Sequence, residues 1–147
     1  MKYRIIETED YYSLAVLFKE SGLEVNPEDV KPESIIKMWR CENSQSGELL
    51  GGAIVQLLNG IYILKDFAIT EKYRNCGIGK ELLFHVEEEV AKYGAGEMWL
   101  VGKTPEYYKK FGWEKVAFED APKFSKCFVC RQYNKTCFPS IMKKEID

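Results

Sequence analysis

Ile69-Thr70-Glu71-Lys72-Tyr73-Arg74-Asn75-Cys76-Gly77-Ile78-Gly79-Lys80-Glu81-Leu82-Leu83 joins two segments of different periodicity. Ahead of it, Ile61 to Ile69 is an apolar, β-branched run. Behind it, Ile78, Leu82, Leu83, Val86 and Val90 fall on one side of a 3.6-residue helix that ends near Tyr93-Gly94, with Gly94 placed to cap it. The stretch is therefore a strand-to-helix turn holding a basic residue and two glycines. Such a turn exposes unpaired N–H groups at the positive end of a helix dipole, with no Cβ to obstruct an anion. Its spacing, Arg-x-x-Gly-x-Gly, lacks the Gly-Lys-Ser/Thr of a P-loop, and Leu82 stands where a dinucleotide fingerprint needs its third glycine. Close packing at the helix entry is the alternative reason for the glycines, and both readings stand at this point.

Upstream, Asn59-Gly60 separates Leu49–Leu58 from Ile61–Ile69. Asn-Gly between two apolar runs is a strong hairpin signal, because a type I′ turn needs positive φ at both central residues. Residues 38–42 read as a further strand before the turn cluster Asn43-Ser44-Gln45-Ser46-Gly47. Lys2 to Glu7 reads as a first strand. Thr8, Glu9 and Asp10 offer an N-cap for a helix carrying Leu14, Ala15, Leu17 and Phe18, which Ser21-Gly22 stops. Pro32 fits the first turn of a second helix bearing Ile35, Ile36 and Met38.

Downstream, Met98 to Val101 reads as a buried strand, Pro105 to Phe111 as a short helix capped by Thr104, Trp113 to Phe118 as a strand and Ser140 to Ile146 as a last one. Strands alternating with helices make this an α/β order. The remaining connection, Glu119 to Pro139, is long enough to suggest a functional role.

At 147 residues, with 46% hydrophobic and 30% charged residues, the chain is expected to form a single domain, 1–147, with a proper core. Its 21 basic and 23 acidic side chains leave a net charge of −2, which excludes the basic footprint of a nucleic-acid binder. No run approaches the roughly 18 apolar residues of a membrane span, and the N-terminus turns acidic where an export signal would be apolar. A cytoplasmic location is expected, with no membrane partner. Five cysteines, an odd count, suit a reducing compartment.

Arg74-Asn75-Cys76-Gly77-Ile78-Gly79, preceded by Lys65-Asp66-Phe67-Ala68-Ile69, resembles the acetyl-CoA diphosphate loop of the GNAT N-acetyltransferase superfamily. About thirty residues on, Tyr107-Tyr108-Lys109-Lys110-Phe111-Gly112-Trp113 is similar to that family's aromatic-Tyr-x-x-x-Gly-aromatic motif. The resemblance covers nearly the whole element order. It implies a mixed, mainly antiparallel central sheet of about six or seven strands flanked by about four helices, with two central strands parting to admit the cofactor.

Carried onto this sequence, the resemblance implies that backbone groups of Phe67, Ala68 and Ile69 pair with the pantetheine arm. Arg74, Asn75, Cys76, Gly77, Ile78, Gly79 and Lys80 surround the diphosphate, Cys76 as a spacer giving only its N–H. The activity implied is direct transfer of the acetyl group of acetyl-CoA, in a ternary complex, to a primary amine of a small molecule or amino acid. A protein N-terminus or lysine is the rival acceptor, and a non-catalytic acyl-CoA sensor the rival role. Transfer needs a base, an oxyanion donor and an acid. Tyr108 matches the tyrosine that protonates the departing sulfur, and Tyr107 is expected to pack inward. No base stands out: Asp66 fits either substrate contact or a structural ion pair, the latter favoured.

Cys127-Phe128-Val129-Cys130 with Cys137 supplies three thiols and no fourth ligand, so a metal, a redox disulfide and plain reduced thiols all stay open, the last as default and with no metal site assigned. Phe124, Phe128 and Tyr133 in that connection are candidates to shape the acceptor pocket. His85 reads as a helix-edge histidine, Glu87-Glu88-Glu89 as a solvated face, and Tyr11, Tyr12 and Trp39 as core. A monomer or a homodimer is equally compatible with the sequence.

Overall fold

The computed structural model describes residues 1–124 and 139–146. The elements run β1 (Tyr3–Glu7), α1 (Tyr11–Glu20), β2 (Ile35–Asn43), β3 (Leu49–Leu58), β4 (Ile61–Ile69), α2 (Ile78–Ala91), β5 (Glu97–Gly102), α3 (Pro105–Lys109), β6 (Glu114–Lys115) and β7 (Ser140–Glu145). All seven strands lie in one sheet of order β1-β2-β3-β4-β5-β7-β6. Every neighbouring pair is antiparallel except β4 and β5, which run parallel. The fold is thus the mixed α/β sheet expected.

The β3–β4 hairpin turns on Asn59 and Gly60, at φ 51° and 81°, as a type I′ turn requires. Asp10 caps α1: its Oδ1 accepts from the Ser13 N–H at 3.1 Å and its Oδ2 from the Ser13 hydroxyl at 2.6 Å, and these bonds hold the carboxyl below its ordinary pKa. The helices take opposite faces. Leu14, Leu17 and Phe18 of α1 bury against Ile35, Met38, Ile54 and Ala68, while Ile78, Leu82, Leu83 and Val86 of α2 bury against Trp39, Ala53, Val55 and Ile69. Each of the larger side chains contributes roughly 1.5–3 kcal/mol by leaving water. Gly52 lets α1 approach: a Cβ there would lie 2.5 Å from Leu14 Cδ2.

Three expectations are corrected. No helix carries Ile35, Ile36 and Met38. They lie in β2, whose pairing with β3 spans Ile35↔Gln56 to Glu42↔Leu49, and Ile35 and Met38 face α1 while Trp39 and Cys41 face α2. Burial on both faces of the sheet suits the β-branched Ile35 and Ile36 better than a helix led by Pro32. The described residues therefore hold three α-helices rather than about four. The strand expected from Trp113 to Phe118 shrinks to Glu114–Lys115, since Trp113 turns into the core and Phe118–Asp120 form a 3-10 turn. Thr104 makes no side-chain cap, and Pro105 starts α3, which stops at Lys109. Among the described residues, no helix is long and apolar enough to cross a membrane.

Candidate active site

Parallel strands β4 and β5 pair at one register position, Ile63↔Trp99. Beyond it β4 continues to Ile69 and β5 to Gly102 without pairing to each other. Each is held from its far side instead, β4 by β3 as far as Gly51↔Ile69 and β5 by β7 from Glu97↔Glu145 to Gly102↔Ser140. The parting has a local cause. Ile54 pairs with Asp66 but Val55 with Leu64, so Lys65 is an extra residue on β4, and such a bulge bends its strand. The facing edges beyond the bulge present unpaired backbone groups, the condition for pairing with an extended ligand. Phe67, Ala68 and Ile69 lie on this stretch of β4.

At the end of β4 the Thr70 N–H donates to the Leu50 carbonyl at 2.8 Å, and Arg74 folds back so that its Nε donates to the Ile69 carbonyl at 2.9 Å. Asn75, at φ 65°, and Gly77, at φ 84°, reverse the chain into α2, with Gly77 at the N-cap. Among the described residues no hydrogen bond engages the N–H groups from Asn75 to Lys80. Six consecutive free donors at a helix N-terminus fit an anion's oxygens. The two glycines serve different ends. A Cβ on Gly77 would meet nothing within 4 Å, so its φ is what demands glycine, whereas one on Gly79 would overlap the Tyr107 hydroxyl. Cys76 is exposed.

Five aromatic rings cluster around Tyr107 and Tyr108, with Phe67 of β4 among them. Tyr108 stands 6.3 Å from Phe67, 5.3 Å from Tyr107 and 6.0 Å from Trp113, centroid to centroid, and Tyr107 stands 5.2 Å from Phe111. Tyr107 packs against the core as expected, half-buried with its hydroxyl against Gly79, while Tyr108 is the more buried of the pair. No hydrogen bond among the described residues engages the Tyr108 hydroxyl. Burial pushes this phenol's pKa well above the ordinary 10, with smaller contributions from Tyr107 and from the charge of Asp66. Asp66 is buried and paired with Lys65 at 2.7 Å, the structural arrangement favoured for it.

Glu87 departs from expectation. It is buried rather than solvated, accepting from Trp113 Nε1 at 3.1 Å and Lys144 Nζ at 2.6 Å. Leu83, Glu87 and Val90, spaced i, i+4 and i+7, share a helix face, and a buried indole seeks an acceptor; both signals were present in the sequence. Tyr12 is exposed rather than core, while Trp39 is fully buried with His85 edge-on 6.2 Å away and Tyr11, the first residue of α1, is partly buried against the cluster of Leu14, Leu17 and Phe18. Phe124 is buried against Trp99. Cys127, Cys130, Cys137, Phe128 and Tyr133 lie outside the described residues, among which no cluster suited to a metal occurs.

A cavity of about 490 Å³ opens between the end of α1 and the start of the glycine loop, lined by Leu17, Glu20, Ser21, Thr70, Glu71 and Arg74 among others.

A family model described as an acetyltransferase (GNAT) domain matches residues 35–115. No curated protein matches the chain. Among solved structures, an acetyltransferase of the GNAT family from Staphylococcus aureus Mu50 superposes with a TM-score of 0.75 at 18% identity, covering 99% of this chain and 100% of that one. N-acetylglutamate synthase from Neisseria gonorrhoeae, solved with coenzyme A and N-acetyl-glutamate, gives 0.75 at 15% identity, covering all of this chain and 36% of that one. The ribosomal-protein-S18-alanine N-acetyltransferase of Escherichia coli gives 0.68 at 19%, covering 99% and 95%.

Proposed function

From the premise that the chain belongs to the GNAT acetyltransferase family, we propose that it transfers the acetyl group of acetyl-CoA directly to a primary amine of a small molecule or amino acid, in a ternary complex. The observation that carries this reading is the bulged parting of β4 from β5, with the N–H groups of Asn75 to Lys80 at one end and the Tyr108 hydroxyl beside it, both without hydrogen-bond partners among the described residues. Bound acetyl-CoA supplies an activated thioester carbonyl and a thiolate leaving group.

The rest falls to this chain. Backbone groups of Phe67, Ala68 and Ile69 pair with the pantetheine arm as a neighbouring strand would. Loop N–H groups hold the diphosphate, with Gly77 leaving room for it and the Lys80 side chain adding positive charge at the exposed rim. Tyr108 holds a proton at its hydroxyl oxygen and donates it to the departing sulfur, and its raised pKa keeps that proton in place at neutral pH. Asp66 stays ion-paired with Lys65, and the amine's proton leaves through water.

The cavity between α1 and the loop carries Glu20 and Glu71 beside Arg74, the residue assigned to the diphosphate, so it adjoins the diphosphate end of the cofactor and does not by itself select the acceptor. Calorimetric titration with acetyl-CoA, followed by thiol release against a panel of amines, amino acids and peptides, tests the reading. Binding with release on small amines is expected. Release only on peptides points to a protein N-terminus or lysine as acceptor, and binding without release to an acyl-CoA sensor. No binding overturns the proposal.

A further inference from the structure

Trp113 is 2% exposed, and its indole N–H donates to Oε2 of Glu87 at 3.1 Å. The second carboxylate oxygen, Oε1, accepts from Lys144 Nζ at 2.6 Å. Lys144 passes close to Gly112 on its way, where a Cβ would stand 3.3 Å from its Cε, and its ammonium lies 5.0 Å from the centre of the Phe84 ring. One buried carboxylate thus ties α2, the turn after α3 and β7 together. A carboxylate withdrawn from water is destabilising unless both oxygens find donors, and here both do.

The far side of that tie reaches the reaction. The Trp113 ring stands 6.0 Å from Tyr108 at 64°, the Trp113 backbone N–H donates to the Tyr108 carbonyl at 3.2 Å, and the Tyr108 hydroxyl has no hydrogen bond among the described residues to fix the ring's orientation. Its aim into the parting is set by the rings it touches. A phenylalanine at 113 would fill much of the same volume with no donor to direct it, whereas an indole bonded to Glu87 has one orientation. The geometry points to Glu87 as a positioning residue for Tyr108, acting through the Trp113 N–H, with Lys144 holding the carboxylate in place. The inference rests on the reading of Tyr108 as proton donor.

Trp113→Phe tests it by removing the N–H while keeping an aromatic ring, assayed as thiol release from acetyl-CoA with the most active amine of the panel above. The expected result is a fall of about tenfold in kcat, with the acetyl-CoA KM within about twofold of wild type. In a Tyr108→Phe background the same substitution is expected to change kcat by less than about twofold, since the group it positions has gone. Glu87→Gln, which keeps the side chain's shape and one oxygen acceptor, is expected to give a smaller loss with the same dependence on background, and it takes over if Trp113→Phe fails to fold. Equal losses in both backgrounds assign the network to stability alone and overturn the inference, as does wild-type kcat in both variants. Wild-type kcat in Tyr108→Phe itself removes the proton-donor reading, and the inference falls with it.

Discussion

The hydroxyl of Tyr107 lies against Gly79, in the space that a β-carbon on that glycine would fill. The two signature segments, the glycine loop and the aromatic motif, therefore touch, and Gly79 is glycine for packing. Gly79→Ala is expected to lower the unfolding free energy by about 1–3 kcal/mol through overpacking. Tyr107→Phe should restore most of that loss, because the ring carbon Cζ stands 3.5 Å from the same point, an ordinary contact. Denaturant unfolding of the two single variants and the double variant checks the pair, and the same loss in either background would show that the hydroxyl is not what the new methyl meets.

Gly77 behaves differently. Its surroundings are open and its φ is 84°, so a side chain there meets strain and stands in the path of an anion rather than of the protein. Gly77→Val is expected to cost about 1–2 kcal/mol of stability and to weaken acetyl-CoA binding by about tenfold or more. Titration calorimetry on the folded variant decides it: wild-type affinity would speak against the loop as the diphosphate cradle.

How far the sequence revealed this arrangement depends on the range of the cause. Asn59-Gly60, the cap at Asp10 and the glycine loop were legible because each is dictated by a few neighbouring residues and their φ values. Ile35 to Met38 were not, because the apolar spacing there serves a helix or a strand buried on both faces, and only pairing with β3 decides between them. The bulge at Lys65 is invisible locally for the same reason, since register is a property of two strands. Glu87 was read as solvated from its charge, and what buries it, Trp113 and Lys144, lies 26 and 57 residues away.

Tyr108→Phe removes one oxygen and leaves the ring's contacts with Phe67, Tyr107 and Trp113 intact. With a proton donor lost and packing kept, kcat should fall by about a hundredfold while the acetyl-CoA KM stays within about twofold. Because burial raises the wild-type phenol above 10, this group should produce no alkaline fall in kcat between about pH 6 and 9. Steady-state rates across that range check both statements, and undiminished kcat in the variant sinks the assignment.

Alkaline stability should respond to a cluster on the α2 face of the sheet. Burial raises the Cys41 thiol from 9.0 to about 12, helped by the nearby carboxylates of Glu81 and Glu42. Tyr3, whose hydroxyl donates to Glu81, rises from 10.0 to about 12, with burial again the largest cause. Both folded-state values lie above the unfolded ones, so both groups stabilise the fold fully below about pH 9, and that contribution drains away as pH climbs toward 12. The urea midpoint should therefore begin to fall near pH 9, where the unfolded thiol starts to ionise, and steepen beyond 10 as Tyr3 and Tyr108 join. Cys41→Ala should shift the onset upward, toward pH 10, despite a lower midpoint at pH 7 from the small cavity it leaves. Midpoints measured at pH 7, 8.5, 9.5 and 10.5 separate the two effects, and an unchanged onset in Cys41→Ala would show that this thiol does not set it.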